Sequence, residues 1–336
     1  AVVLNVLPVA PTAQVNGWNF LVRGQIRTYG FGATDPSSGD QAANMTYNID
    51  WDGNGTVDET VIATGNGVNV NHSYASSGSY TIRVTATDRD GMTSAVATLP
   101  VTVVDWAFLP DPSDLSKTDL HWGGTNGFDA YGFVPGGFVF IQAQNNQFFP
   151  VPQIVSTGGY NGKLYVYAQG SNDLLFADVM NQTVVFYGGD GDDVLVGGRA
   201  GDIIDGGNGN DILLGGTLST DGNDTIFGGA GNDLIVGHYG ADRLSGDAGE
   251  DLLIAGTLFF DNLPNAVYAI QAEWLSGRPY ADRVANLSGV GVGPRNNGNY
   301  FLTPAVSALD DGAIDVVLGG ADQDWLLADL QTDLIT

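Results

Sequence analysis

Aspartate spacing carries the clearest chemistry in this chain. Asp193, Asp202, Asp211, Asp224, Asp233, Asp242 and Asp251 recur every nine residues, except that four extra residues, 217–220, lengthen the step from 211 to 224. Each closes a turn rich in glycine: GGDGDDVLV (188–196), GGRAGDIID (197–205), GGNGNDILL (206–214), GGTLSTDGNDTIF (215–227), GGAGNDLIV (228–236), GHYGADRLS (237–245) and GDAGEDLLI (246–254). Carboxylates are hard oxygen ligands, and glycine lets a turn curl until its carbonyls point inward. The chemistry to expect is binding of Ca²⁺, which takes roughly six to eight oxygens at about 2.3–2.6 Å.

Two positions beyond each aspartate stands an aliphatic residue: Leu195, Ile204, Leu213, Ile226, Ile235, Leu244 and Leu253. A six-residue turn and a three-residue strand with one inward side chain explain that phase. Two such units make one turn of a flattened parallel solenoid, whose strands stack about 4.8 Å apart over an aliphatic ladder. The aspartates then form two columns, Asp193, Asp211, Asp233 and Asp251 on one side, Asp202, Asp224 and Asp242 on the other. At an effective dielectric near 20, two charges about 5 Å apart repel by about 3 kcal/mol. Several such pairs outweigh the net stability of a typical domain. A dication between successive turns removes the repulsion and couples folding to binding.

These repeats resemble the RTX (repeats-in-toxin) family, with its GGxGxDxUx consensus in which U is apolar. The resemblance covers 188–256. It implies a calcium β-roll, with the sixth-position aspartate as side-chain ligand and turn carbonyls as the rest. Ala200, His238 and Asp247 depart from the glycine pattern. Weaker echoes flank the repeats. Asp129 and Asp173 read as structural members of degenerate coils, whereas Asp315 (AIDVVLGG) and Asp324 (GGADQDWLL) read as further calcium ligands. Between them, 257–309 breaks the repeat. Val267, Ile270, Trp274 and Leu275 recur at helical spacing after Pro264 and before Gly277, and a shorter helix is expected through Val284 and Leu287. This segment reads as an insertion or cap over the aliphatic ladder, with Trp274 and Trp325 as core.

Upstream, short β-rich runs punctuated by turns over residues 18–105 give the pattern of an antiparallel sandwich. YNIDWDGNGTVDE (47–59), the His72-Ser-Tyr74 pair, the Gly78-x-Tyr80 step and the closing turn at Asp88–Gly91 resemble a PKD domain, an immunoglobulin-like sandwich. The resemblance implies a spacer or a module touching carbohydrate or protein. Within it, Asp50, Asp52, Asn54 and Asp58 have the alternating oxygen spacing of calcium loops, but the twelfth position, where an EF-hand needs glutamate, is Val61. An ordinary Asp-Gly hairpin is the competing reading.

The fold class is thus all-β: a sandwich at 18–105 after a strand and linker at 1–17, degenerate coils at 106–187, the β-roll at 188–256, the partly helical insertion at 257–309 and final coils at 310–336. Residues 1–7 resemble the last strand of a preceding domain, which suggests a segment cut from a tandem array, a strand that docks on a neighbouring subunit, or, before either of these, a strand lying along its own domain.

Composition narrows the function. Lys+Arg number 11 against 38 Asp+Glu, a formal charge of −27, which argues against nucleic acid as a partner. No apolar run reaches the ~20 residues of a membrane span, and with no cysteine calcium is the natural staple. HExxH, GxSxG and a cysteine nucleophile are all missing, and His72, His121 and His238 are too scattered for a zinc site. The reading is a non-enzymatic, secreted bacterial surface protein: a calcium-binding structural or adhesive unit that contacts surface glycan or protein. The alternatives are a homo-oligomeric fibre or surface-layer subunit joined through the N-terminal strand or the solenoid ends, and an accessory region of a polysaccharide-active enzyme.

Overall fold

The computed structural model describes residues 8–134, 138–156, 160–217, 221–260, 264–304 and 307–336. It divides into two compact units, residues 1–107 and 108–336.

In the first unit, alternate residues of short strands turn inward, as a pleated backbone requires. One sheet orders Thr12–Asn16, Arg27–Thr34 and Val68–His72. The other orders Phe20–Val22, Ala97–Val104, Gly78–Thr87, Asn44–Asp50 and Glu59–Thr64. Tyr29 and Phe31 from the first meet Tyr47, Ile49, Ile82, Val84 and Val103 from the second in one core. Trp51 stacks on His72 with ring centroids 4.0 Å apart, and the Tyr74 hydroxyl donates to the Trp51 carbonyl at 3.0 Å. The aromatic residues of the PKD-like motif therefore hold the sandwich together. Residues 12–16, read as linker from their flanking prolines, are instead a sandwich strand paired antiparallel with Arg27–Thr34. Ala13 and Val15 face the core, and that alternation was the signal. Residues 1–7, and the strand expected there, lie outside the described residues.

In the second unit two long sheets face each other, and successive repeats supply a strand to each in turn. The first sheet includes Leu164–Gly170, Val184–Asp190, Ile203–Asn208, Thr225–Ala230, Arg243–Ala248, Val316–Ala321 and Leu334–Ile335. The second includes Leu174–Phe176, Val194–Val196, Ile212–Leu214, Leu234–Val236, Leu252–Ile254 and Trp325–Leu327. Neighbouring strands of these sets are parallel and in register. Leu195, Ile204, Leu213, Ile226, Ile235, Leu244 and Leu253 form the fully buried ladder between the sheets.

The region read as degenerate coils holds something different at 138–156. Phe138–Gln144 and Gln147–Ser156 pair antiparallel and extend the second sheet through Ala130–Val134. Asn145 and Asn146 have φ of 49° and 59°, the left-handed pair that a tight hairpin turn needs.

The insertion folds as helices Pro264–Trp274 and Tyr280–Leu287. It does not cover the aliphatic ladder, as expected from sequence, but the outer face of the second sheet. Val196, Ile212, Leu214, Leu234, Val236, Leu252 and Ile254 point outward there and are buried beneath Val267, Ile270, Trp274 and Leu287. Three consecutive aliphatic residues in every second repeat give that sheet two apolar faces, so one of them needs a lid. Trp274 is fully buried against Tyr280 and Trp325, whereas Leu275 lies 37% exposed. Trp274→Ala should lower stability in calcium by about 3–5 kcal/mol, the usual range for a buried tryptophan. Leu275→Ala should stay within about 1 kcal/mol. Denaturant midpoints of the two variants check this contrast.

Candidate metal centre

Each turn ends on an aspartate because that residue ties one coil to the next. In the first column the main-chain N–H of Asp129 donates to Oδ1 of Asp173, Asp173 to Asp193, Asp193 to Asp211, Asp211 to Asp233, Asp233 to Asp251 and Asp251 to Asp324, at 2.7–2.9 Å. In the second column Asp202 donates to Asp224, Asp224 to Asp242, Asp242 to Asp315 and Asp315 to Asp333, at 2.7–3.1 Å. Asp315 and Asp324 continue the columns across the insertion. Asp333 has the same phase, with Ile335 two residues on, and sequence reasoning missed it.

One oxygen of each carboxylate is thereby used, and the other decides what the columns can bind. Oδ2 of Asp173, Asp193, Asp211, Asp233 and Asp251 in the first column, and of Asp224, Asp242 and Asp315 in the second, is buried and accepts no hydrogen bond. A buried carboxylate with an orphaned oxygen is costly when charged. Burial pushes Asp211, Asp242 and Asp251 up to about 8, and Asp193, Asp202, Asp233 and Asp315 up to about 7. Asp324, nearer solvent, is raised for the same reason. Asp224 reaches about 10 because the charges of Asp221 and Asp202 add to its burial. Asp173, read from sequence as structural, has the geometry of a column member and is pushed up to about 9.

This donor set fits calcium. The first glycine of each repeat makes room for the second carboxylate oxygen: a Cβ on Gly206 would strike Oδ2 of Asp211 and come within 2.7 Å of the Gly228 carbonyl oxygen. Gly188, Gly228 and Gly246 stand in the same relation to Asp193, Asp233 and Asp251, and Gly197, Gly215 and Gly237 to Asp202, Asp224 and Asp242. Carboxylate and carbonyl oxygens thus converge at every rung, and a dication held there would cancel the buried charge of both flanking aspartates. Gly206→Ala should raise the calcium concentration at half-saturation by about tenfold, or about 1.4 kcal/mol, with unchanged secondary structure at saturating calcium. A calorimetric titration followed by circular dichroism reads both quantities.

Some aspartates lack a spare oxygen. Asp129 accepts from the N–H groups of Asn145 and Thr125, and Asp333 from those of Asp315 and Asp329. In the sandwich, Asp50, Asp52 and Asp58 offer oxygens within 4.8 Å of one another, a group of three acids that is alone among the described residues. Asp50 accepts from the N–H groups of Gly53 and Gly55, Asp52 from Asn54, Asn54 from Thr56 and Asp58 from Trp51. That loop satisfies itself through its own backbone. The histidines are dispersed: His72 lies against Trp51, His121 stacks on Tyr165, and His238 is buried in a roll turn.

Both units match known families. Residues 187–217 and 218–253 match the RTX calcium-binding nonapeptide repeat, and residues 8–103 match the PKD domain. Among solved structures, the PKD domain of an M14-like peptidase from a Thermoplasmatales archaeon is 31% identical, over 29% of this chain and 98% of that one, with a TM-score of 0.26. A CARDB domain from Pyrococcus furiosus, solved with di-metal ions, is 19% identical over 30% of this chain and 95% of that one, with a TM-score of 0.25. No curated protein matches. The chain thus joins a PKD β-sandwich to an RTX-repeat β-roll of the calcium-binding kind.

Proposed function

We propose that this is an extracellular structural or adhesive unit whose roll folds when Ca²⁺ occupies the two aspartate columns. The observation that carries it is the series of buried Oδ2 atoms without partners. Asp193, Asp211, Asp224, Asp233, Asp242, Asp251, Asp315 and Asp324 are the assigned side chains, and Asp173 joins them on geometry, whereas Asp202, a ligand by its place in the repeat, has both oxygens taken by the N–H groups of Val184 and Gly198. The self-satisfied loop of Asp50, Asp52, Asn54 and Asp58 is a weaker second site. No helix of the described residues is long and apolar enough to cross a membrane, and the acidic charge suits a cation-rich exterior. A glycan or protein at the surface is the partner this reading implies. Because the columns are read as calcium-held scaffolding, no catalytic role is assigned.

Affinity tests the compartment. Extracellular calcium modules have dissociation constants of about 10⁻⁴–10⁻³ M, and cytosolic buffers about 10⁻⁹–10⁻⁸ M. Titration of the chelated full chain should place the folding midpoint between about 10⁻⁵ and 10⁻³ M. A nanomolar midpoint would mean that the roll is permanently loaded inside cells, and would overturn the extracellular reading.

A further inference from the structure

The rung at the 217–220 insertion is built differently from the others. Asp202 is the one aspartate of the seven repeats with both oxygens hydrogen-bonded among the described residues: Oδ1 accepts from the N–H of Val184 at 2.8 Å and Oδ2 from that of Gly198 at 2.5 Å. Its partner across the rung, Asp224, is 2% exposed and has an unpartnered Oδ2. A dication placed there by the consensus would meet one committed carboxylate and one free one. The longer turn supplies a replacement. Asp221, three residues before Asp224, uses Oδ1 on the N–H of Gly222 at 2.9 Å, and its Oδ2 is buried with no partner.

Both free oxygens are aimed at one stretch of backbone. Oδ2 of Asp224 lies where a Cβ on Gly215 would sit, and Oδ2 of Asp221 where a Cβ on the adjacent Gly216 would sit, beside the carbonyl oxygen of Gly198. Asp178, from a neighbouring coil, adds its charge to the same place. We propose that Asp221 replaces Asp202 as the second carboxylate ligand of a divalent cation at this rung, so that the insertion moves the site sideways instead of abolishing it. This rests on the reading of the columns as calcium sites.

Isosteric Asp→Asn changes separate the two residues. The probe is Ca²⁺ alone, titrated calorimetrically into the chelated full chain, with circular dichroism at 10 mM calcium as the check on folding. Asp221→Asn should bind one ion fewer per chain than the parent, whereas Asp202→Asn should keep the parental number. The reverse, with Asp202→Asn losing an ion and Asp221→Asn losing none, overturns the proposal and leaves the columns intact as calcium sites. A parent chain that binds no calcium at the columns overturns the wider reading itself. Should Asp221→Asn fail to fold at any calcium concentration, Asp221→Glu decides. Restored folding with the full ion count supports a ligand role, and a second failure to fold marks Asp221 as a packing residue and overturns the proposal.

Discussion

Replacing Asp211 and Asp233 together by alanine should shift the calcium midpoint of folding by about 100-fold or more, equivalent to about 2.7 kcal/mol. The two sit on successive coils of the first column, joined by the bond from the Asp211 N–H to Oδ1 of Asp233. Their loss removes a coil-to-coil tie and the free oxygens of adjacent rungs. Replacing Asp90 and Asp105, exposed acids of the sandwich unit, removes the same formal charge. Asp90 pairs with Arg89 and Asp105 with Arg23 through carboxylates that face solvent, where an ion pair is worth about 0–1 kcal/mol. That double variant should leave the calcium midpoint within about threefold. Equal shifts in the two variants would mean that calcium merely screens net charge.

Acidification should fold the metal-free roll, and this is the second large effect. The column aspartates are raised from ordinary carboxylate values to about 7–10 by burial. A group whose value is higher in the folded state favours folding below its unfolded value, near 4, and loses that contribution as pH rises through the folded value. Without calcium, β-structure in residues 108–336 should be greatest near pH 4–5, decline as pH rises towards the folded values and be largely lost by about pH 7–8. Every tenfold gain in a carboxylate's proton affinity on folding corresponds to about 1.4 kcal/mol, so several aspartates together outweigh the net stability of a typical domain. Calcium reverses the sign: it binds the ionised form, so its affinity should fall on acidification and binding at pH 7.5 should release protons. Calorimetry in two buffers of different ionisation enthalpy counts those protons. A zero count, or a metal-free roll most stable at pH 9, contradicts the assignment.

Much of this architecture was legible because the period is rigid. A fixed spacing of aspartate and aliphatic residue specifies strand, turn, inward face and column together, so the two columns and the ladder from Leu195 to Leu253 follow from a single phase. Legibility failed where local patterning had a second meaning. The triplets Val194–Val196, Ile212–Leu214, Leu234–Val236 and Leu252–Ile254 read as a ladder with aliphatic neighbours, yet their flanking residues form a second, outward apolar surface. Its lid is the helical insertion. Thr12–Asn16 looked like linker because Pro8 and Pro11 dominate its surroundings, and five alternating residues are a weak signal. The hairpin at Asn145–Asn146 was hidden by glycine and aromatic residues that also suit a solenoid. The state of Asp202 and Asp221 depends on which N–H groups reach which oxygen, and spacing does not encode that.

The central physical claim is that buried carboxylate columns of this density form at neutral pH only around dications. Amide hydrogen exchange of the full chain at pH 8, in chelator and in 10 mM calcium, tests it most directly, because it resolves the roll from the sandwich. With calcium, the strands from Val184–Asp190 to Trp325–Leu327 should be strongly protected. In chelator the same strands should exchange at nearly unfolded rates, while Arg27–Thr34 and Asn44–Asp50 in the sandwich keep their protection. Full protection of the roll strands in chelator would show that the columns need no metal.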